Sequence, residues 1–396
     1  MLAVIETHPV QYHAPVYRAV VRQGVPVTAI YGSDFSVAGY HDREFGASFA
    51  WDADLLSGYD ARFLSRVADG GARDDGQVRT RGLRAALRDV RPSAVLVVGY
   101  SPRFHRRAWI DAWRGGFPIL FRGETSDATR PPRPARDRLR RVALTWAYRS
   151  CARCLYIGRH SYEHLRRHGV GDDRLVFSPY CVDTTPFEIG DDARDRLRGP
   201  MRERLDIGPV DLAILYAGKL SDRKGVDLLV AAARALPDAD RQRAVLVFLG
   251  DGERRQRLEA MAADPPAVRA RFPGFQNQRA LSAYYHAADL LVLPSRRAET
   301  WGLVVNEALH HGVPALVSTR VGCAPDLIEP GLTGATFVAG DAGELATAIL
   351  DVVRLAGRAD VRRACRERVR RYSVDAAAAG IVAAYGAAAT GAGRAA

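Results

Sequence analysis

Short β-branched runs alternate with longer amphipathic segments along almost the whole chain. That alternation builds a parallel sheet flanked by helices. In the first half it predicts strands at Leu2–Glu6, Pro26–Tyr31, Ala94–Gly99, Pro118–Arg122, Cys154–Gly158 and Leu175–Ser178, with helical segments that include 13–23, 134–150 and 160–168. The second half repeats the style, with strands at Leu212–Gly218, Ala244–Gly250, Arg269–Pro273, Leu290–Pro294, Pro314–Ser318 and Ala335–Val338. Between Pro179 and Pro200 the apolar rhythm lapses, which predicts a linker between two domains. Residues 388–396 read as a frayed tail.

At 396 residues the chain is long for one core and comfortable for two. Apolar residues make up 47% and charged residues 26%, as in a soluble globular protein. No apolar run reaches bilayer length, and the N-terminus has no basic lead, so it reads as a first strand rather than a secretion signal. Five cysteines at irregular positions argue against a disulfide framework and fit a reducing cytoplasm; Cys151 and Cys154 form a lone CxxC with no second pair. The formal charge is +12, and residues 1–190 carry 28 basic against 20 acidic side chains. The densest run, Arg130 to Arg141, holds six arginines. Such an excess suits an anionic partner, including phosphorylated acceptors and the inner membrane face as a peripheral contact. No aromatic-interleaved basic stripe or recognition module points to nucleic acid.

Only two of the 57 basic residues are lysines, and both lie in Gly218-Lys-Leu-Ser-Asp-Arg-Lys-Gly225. Lysine is a compact point charge and arginine a planar fork, so the two are not equivalent at a tight phosphate site. Ligands of open parallel sheets bind beyond the carboxyl ends of the strands. Lys219 follows one predicted strand, Gly250 ends the next, Phe275 follows a third and Glu299 a fourth. After Glu299 comes a predicted helix from about Gly302 to Gly312. Its opening offers free N–H groups and a positive dipole end, which suit a diphosphate. Glu307 lies about 7–8 Å further along that helix. Carboxylates are natural partners for sugar and ribose hydroxyls.

These residues resemble glycosyltransferase family four. The resemblance rests on Glu299 and Glu307 with seven residues between them, on the lysine segment, and on Leu-Gly-Asp-Gly at 249–252. Gly274-Phe275 and Val-Gly-Cys-Ala-Pro-Asp-Leu-Ile at 321–328 complete it. It covers about 210–375 and, more loosely, 116–186. It implies a retaining, metal-independent enzyme of the α/β GT-B fold, with two Rossmann-like parallel-sheet domains facing a central cleft. Residues 1–186 would form the acceptor domain and 187–375 the donor domain, with a C-terminal helix in 376–396 packing back on the first. Lys219 and Lys224 would clamp the diphosphate of a UDP- or GDP-sugar, Glu299 would hold the sugar hydroxyls and Glu307 the ribose. Backbone amides of Thr300, Trp301, Gly302 and Leu303 would face phosphate and sugar, with Phe275 and Gln276 bordering the base. The nucleotide sugar would be a co-substrate, with no cofactor and no metal, and a hydroxyl acceptor (small molecule, saccharide or lipid-linked) would attack.

Two departures from the family pattern stand out. The strand that often ends in a histidine ends here in Phe121-Arg122-Gly123-Glu124, which places Arg122 or Glu124 in that neighbourhood. The first loop, Glu6-Thr-His-Pro-Val-Gln-Tyr-His13, resembles a His-Pro-x-Gln-Tyr subgroup and makes His8 and His13 candidates for acceptor or sugar contact. Tyr100, Arg103 and His105 follow another strand and are acceptor candidates too. Asp52-Ala-Asp54 and Asp238-Ala-Asp240 match a metal-binding Asp-x-Asp only as strings. A nucleotide-sugar epimerase or a non-catalytic sugar-nucleotide binder of the same fold is the alternative reading.

Overall fold

The computed structural model describes residues 1–42, 47–49, 54–100, 103–125, 134–297 and 299–392. Contacts divide the chain into two compact units, one of 1–41, 48–183 and 372–396 and the other of 42–47 and 184–371.

The first unit contains strands β1 (Leu2–Glu6) and β2 (Val27–Tyr31) and most of the separate ribbon formed by the short β3 (Tyr40–Asp42) and β4 (Ala47–Phe49), of which Asp42 and Ala47 fall in the other unit. It continues with β5 (Asp60–Phe63), β6 (Ala94–Val98), β7 (Ile119–Arg122), β8 (Arg153–Tyr156) and β9 (Leu175–Phe177). The main sheet runs β5-β2-β1-β6-β7-β8-β9 and is parallel, with Leu2 opposite both Val27 and Ala94. Both faces are covered. Ala3, Ile5, Val95 and Phe121 bury with Trp109 and Tyr148 on one side, while Leu2, Val4, Leu96 and Leu120 bury with Val16 and Ile381 on the other. Burial on both faces is why these strands read as continuous apolar runs. β5 escaped the sequence reading because it is a half-exposed edge strand, Asp-Ala-Arg-Phe, whose residues alternate between exposed and partly buried.

The last helix, Val374–Ala392, belongs to this unit and lies against the helix Ala14–Arg22 and strands β8 and β9. Gly380 permits the approach, since a Cβ there would stand 2.0 Å from the Phe177 carbonyl. Ser178 Oγ donates to the Ala377 carbonyl at 2.9 Å, and the N-terminal ammonium donates to Tyr385 at 2.7 Å. Two expectations are corrected here. Ala388 is buried within this helix, so 388–392 are not frayed. The stretch Ala359–Thr390 also passes, by length and composition, as apolar enough to cross a membrane. Yet Ala377, Ala378, Ile381 and Ala384 are buried in the first unit's core, so one face of this helix is committed to packing.

The second unit has β10 (Leu212–Ala217), β11 (Ala244–Leu249), β12 (Arg269–Gly274), β13 (Leu290–Leu293), β14 (Ala315–Ser318) and β15 (Gly334–Phe337). They form a parallel sheet in the order β12-β11-β10-β13-β14-β15. β10 and β13 are neighbours, so the order reverses between them, and loops after them open at a topological switch point.

The division between the units falls at Asp183, inside the expected linker, but the second half of that stretch is corrected, because Asp191–Arg204 is helical and carries Pro200. Its polar sequence hid it, and ion pairing rather than apolar burial holds it. Arg198 reaches Asp289 Oδ1 at 2.5 Å, and Arg202 reaches Asp289 Oδ2 at 3.0 Å. The same Oδ2 accepts from the Ala213 amide at 2.9 Å, at the start of β10. Asp289→Ala should therefore destabilise the protein by about 3–5 kcal/mol, because it leaves the buried Arg202 guanidinium uncompensated. Urea unfolding followed by circular dichroism measures this, and a change under about 1 kcal/mol would show the helix is held by other contacts.

Candidate active site

The site is built at the carboxyl edge of the second unit's sheet. After β10 the chain passes Gly218 and Lys219 into a short turn, Asp222–Lys224. After β13 it passes Pro294 to Arg297 and reaches Glu299, which bridges to Val321. The two loops touch closely because Gly225 lies between them. Its φ is +66°, and a Cβ would stand 2.3 Å from the Pro294 carbonyl oxygen. Arg296 clasps Asp227 across the same junction, with one N–O distance of 2.7 Å.

Lys224 and Glu299 consequently meet. The Lys224 ammonium donates to Glu299 Oε2, and each side chain is 14% exposed. Ser295 Oγ donates to the same oxygen at 3.3 Å, and the Arg223 guanidinium stands 3.7 Å away. Burial lowers the Lys224 pKa, the Glu299 carboxylate opposes that shift, and nearby Arg223 and Lys219 add to the lowering. Two cations, Lys224 and Arg223, thus converge on one carboxylate in a partly desolvated place, where charge interactions are strengthened, and Lys219 is close enough for Lys224 to feel its charge. Lys219 is held by its own backbone, whose carbonyl accepts from Tyr216 Oη at 2.7 Å.

Gly302 follows at φ +98° and caps the helix Leu303–His310. A Cβ at this position would lie 2.9 Å from Leu293 and 3.6 Å from Glu299 Cγ, so the helix start and Glu299 share one place. The first-turn amides of an α-helix lack intrahelical acceptors and point out of its start. Trp301 turns its ring inward, donating from Nε1 to Asn306 Oδ1 at 2.8 Å, so only its backbone faces the site. Gly250 sits after β11, where a Cβ would meet the Gly218 carbonyl at 2.0 Å. Phe275 and Gln276 follow β12, and Gln276 Nε2 donates to the Pro273 carbonyl at 3.1 Å.

Glu307 lies one and a half turns into the helix and is buried. Tyr285 Oη donates to its Oε2 at 2.6 Å, and Tyr285 stacks on His311 at 4.9 Å. Burial raises the Glu307 pKa to about 7, with the Tyr285 hydroxyl opposing. His311 is pushed down to about 3, by burial first. Its Nδ1 donates to the Glu307 carbonyl at 2.7 Å, which leaves Nε2 to accept from Ser282 Oγ at 2.9 Å. The partners fix this tautomer, since a carbonyl can only accept. Arg223, Ser295 and Tyr285 were missed in the sequence, and no local motif marks them.

In the first unit, His8, Tyr100 and Glu124 follow β1, β6 and β7, three adjacent strands, at the carboxyl edge of their own sheet. His8 packs on Phe35 at 4.4 Å and lies 3.2 Å from Asp75. Tyr100 accepts from Arg140 at 2.6 Å. His13 is buried against Glu6, and His105 is buried as well. Arg103 opens the helix Arg103–Arg114. Arg122 is structural: buried, it donates to the Ser178 hydroxyl at 3.0 Å and the Pro179 carbonyl at 2.7 Å. Of the two residues expected near the histidine position, Glu124 alone is exposed. Asp52 lies outside the described residues, and Asp54 caps the Leu56 amide at 3.1 Å. Among the described residues no group of three or more His, Cys, Asp or Glu side chains is placed to hold a metal.

Two Rossmann-like parallel-sheet units in one chain define a GT-B protein. The solved structures that resemble it have that fold. Anabaena HepE in complex with UDP and glucose aligns at a TM-score of 0.67 and 15% identity, over 96% of this chain and 97% of that one. The starch synthase IV catalytic domain of Arabidopsis thaliana, bound to ADP and acarbose, aligns at 0.68 and 14% identity over 98% and 99%. Residues 200–372 match the family model of glycosyl transferases group 1. Sulfoquinovosyl transferase SQD2 of Arabidopsis thaliana is 34% identical across 45% of this chain and 34% of its own length. A D-inositol 3-phosphate glycosyltransferase of Mycobacterium sp. (strain KMS) is 32% identical across 55% and 48%. The matches therefore span half or less of these two relatives.

A carboxyl whose folded pKa is about 7, against 4.5 when unfolded, favours the folded state while protonated. That stability is fully present below pH 4.5 and is lost as pH rises through about 7, on the order of 3 kcal/mol in all. Glu307→Gln cannot ionise, so its stability relative to the parent should climb across this window. Paired chemical denaturation curves at pH 5 and pH 8 test this, and an unchanged difference between the two proteins would refute it.

Proposed function

We propose that the protein is a retaining glycosyltransferase that moves a sugar from a UDP- or GDP-sugar to a hydroxyl acceptor without a metal or other cofactor. The observation carrying this reading is the meeting of Lys224 and Arg223 with Glu299 beside the mouth of the Leu303–His310 helix, with the Lys219 charge felt at Lys224. The ammonium groups and first-turn amides suit a diphosphate, and the carboxylate beside them suits a hexose hydroxyl. HepE's complex with UDP and glucose, and the transferase names of the relatives, support the same substrate class.

Glu299 balances Lys224 until a donor arrives, and the diphosphate then takes over the cation while the carboxylate turns to sugar. As the bond from the anomeric carbon to phosphate oxygen breaks, negative charge grows on the leaving diphosphate. Lys224, Lys219 and the helix mouth stabilise that charge with groups already in place. The acceptor oxygen bonds the same face of the anomeric carbon, and its proton passes to the departing phosphate. Glu307 takes the ribose hydroxyls, and Phe275 with Gln276 borders the base. His8, Tyr100 and Glu124 serve the acceptor.

Lys224→Ala should lower turnover about a hundredfold or more, as loss of one preorganised transition-state contact does. Glu299→Gln should abolish transfer while retaining UDP or GDP affinity in calorimetry. A thermal-shift panel of UDP, GDP, dTDP and ADP with their sugars identifies the donor. Near-normal turnover in Lys224→Ala would remove the phosphate role, and donor consumption without any acceptor would indicate an epimerase.

A further inference from the structure

The first unit exposes an apolar stripe that its own core does not use. On the helix Pro134–Arg149, Leu144 and Tyr148 face inward, while Leu139, Val142 and Trp146 point outward, 73%, 64% and 54% exposed. These three are spaced at i, i+3 and i+7, along one side of the helix. The neighbouring helix Arg103–Arg114 behaves alike: Phe104, Ala108, Trp109 and Ala112 are buried, while Ile110 and Trp113 are exposed. The two stripes join, because the Trp113 and Trp146 rings meet edge to face with centroids 5.5 Å apart.

Arginines border this surface. Arg106, Arg107 and Arg114 on one helix and Arg138, Arg141 and Arg149 on the other are exposed. Among the described residues, none of the six has a carboxylate within ion-pair distance. The nearby Asp111 is taken by Arg84 at 2.8 Å. Other exposed arginines do pair with carboxylates, as Arg159 does with Glu163 and Arg358 with Asp360. Paired tryptophans and aliphatic side chains within a ring of unpaired guanidinium groups match a lipid interface, with rings at headgroup depth and cations against lipid phosphates.

We propose that this face docks the first unit onto an anionic bilayer surface, with Trp113, Trp146, Leu139 and Val142 entering the interface and the six arginines contacting its negative headgroups. The proposal stands on these two helices alone and is independent of the nucleotide site.

The test is co-sedimentation of the full chain with phosphatidylcholine vesicles, with and without phosphatidylglycerol, followed also by tryptophan emission. Binding to the anionic vesicles, weakened by salt, is expected, with a blue shift. W113A/W146A and R138E/R141E should each reduce it at least tenfold while keeping the fold, read by circular dichroism, since neither pair belongs to the buried core. Equal binding to neutral vesicles, no binding, or binding indifferent to both double variants would overturn the proposal. So would a concentration-dependent dimer abolished by W113A/W146A, which would assign the face to a second copy of the chain. Turnover is not read, so failure here leaves the transferase reading untouched.

Discussion

The ion pair between Lys224 and Glu299 organises the second unit's site, and it exists only because two loops approach to backbone contact. Gly225 against the Pro294 carbonyl and Gly322 against the Thr300 carbonyl, 2.1 Å from where a Cβ would be, leave no room for a side chain. With those loops apart, Lys224 would lie in water, where an ammonium and a carboxylate gain little from one another. Brought together and partly buried, the lysine pays desolvation, seen as its lowered pKa, and the carboxylate offsets it. A ligand that supplies more negative charge than one carboxylate can then displace it.

Much of this was legible because fully buried parallel strands advertise themselves. β10, β11 and β13 carry unbroken apolar residues, and each ends at a glycine or proline that marks where the ligand edge begins. The lysines stood out against an arginine-rich background, and the structure brings Lys224, Glu299 and Gly302 together. What stayed hidden is held by interactions that leave no periodic trace. The helix Asp191–Arg204 is anchored by Arg198 and Arg202 on Asp289, about ninety residues away in sequence, and its polar surface reads as linker. Arg122 looked chemical at the end of a strand, but its guanidinium is consumed by the turn at Ser178 and Pro179. A buried arginine and a catalytic one look alike in sequence; only the partners distinguish them.

The exposed helices of the first unit show the same ambiguity from the other direction. The arginine-rich run of 130–141 suits an anionic partner in sequence, but charge alone does not say which one. The tryptophans change its meaning, since a merely solvated face has no use for Trp113 and Trp146 meeting edge to face at the surface. The apolar C-terminal helix is the counterexample. Its composition suits a membrane, but its small side chains are spent on strands β8 and β9, where Gly380 lets backbones touch. Composition suggests lipid in both places, and burial separates them.

The two glutamates of the site also differ by surroundings rather than by type. Glu299 sits among Lys224, Arg223 and Ser295, with two cationic groups in reach of its carboxylate. Glu307 is enclosed with Tyr285 and a neutral His311, with no cation in contact, so its charge is costly. In the proposed reading, Glu299 belongs at the sugar, beside the diphosphate, where a fixed charge amid cations can be exchanged as the ligand enters. Glu307 belongs at the ribose, since two adjacent hydroxyls would donate to its oxygens and supply the hydrogen bonds that burial otherwise withholds. Such a carboxyl would be more fully ionised with nucleotide bound than without, so binding there would release a proton near neutral pH.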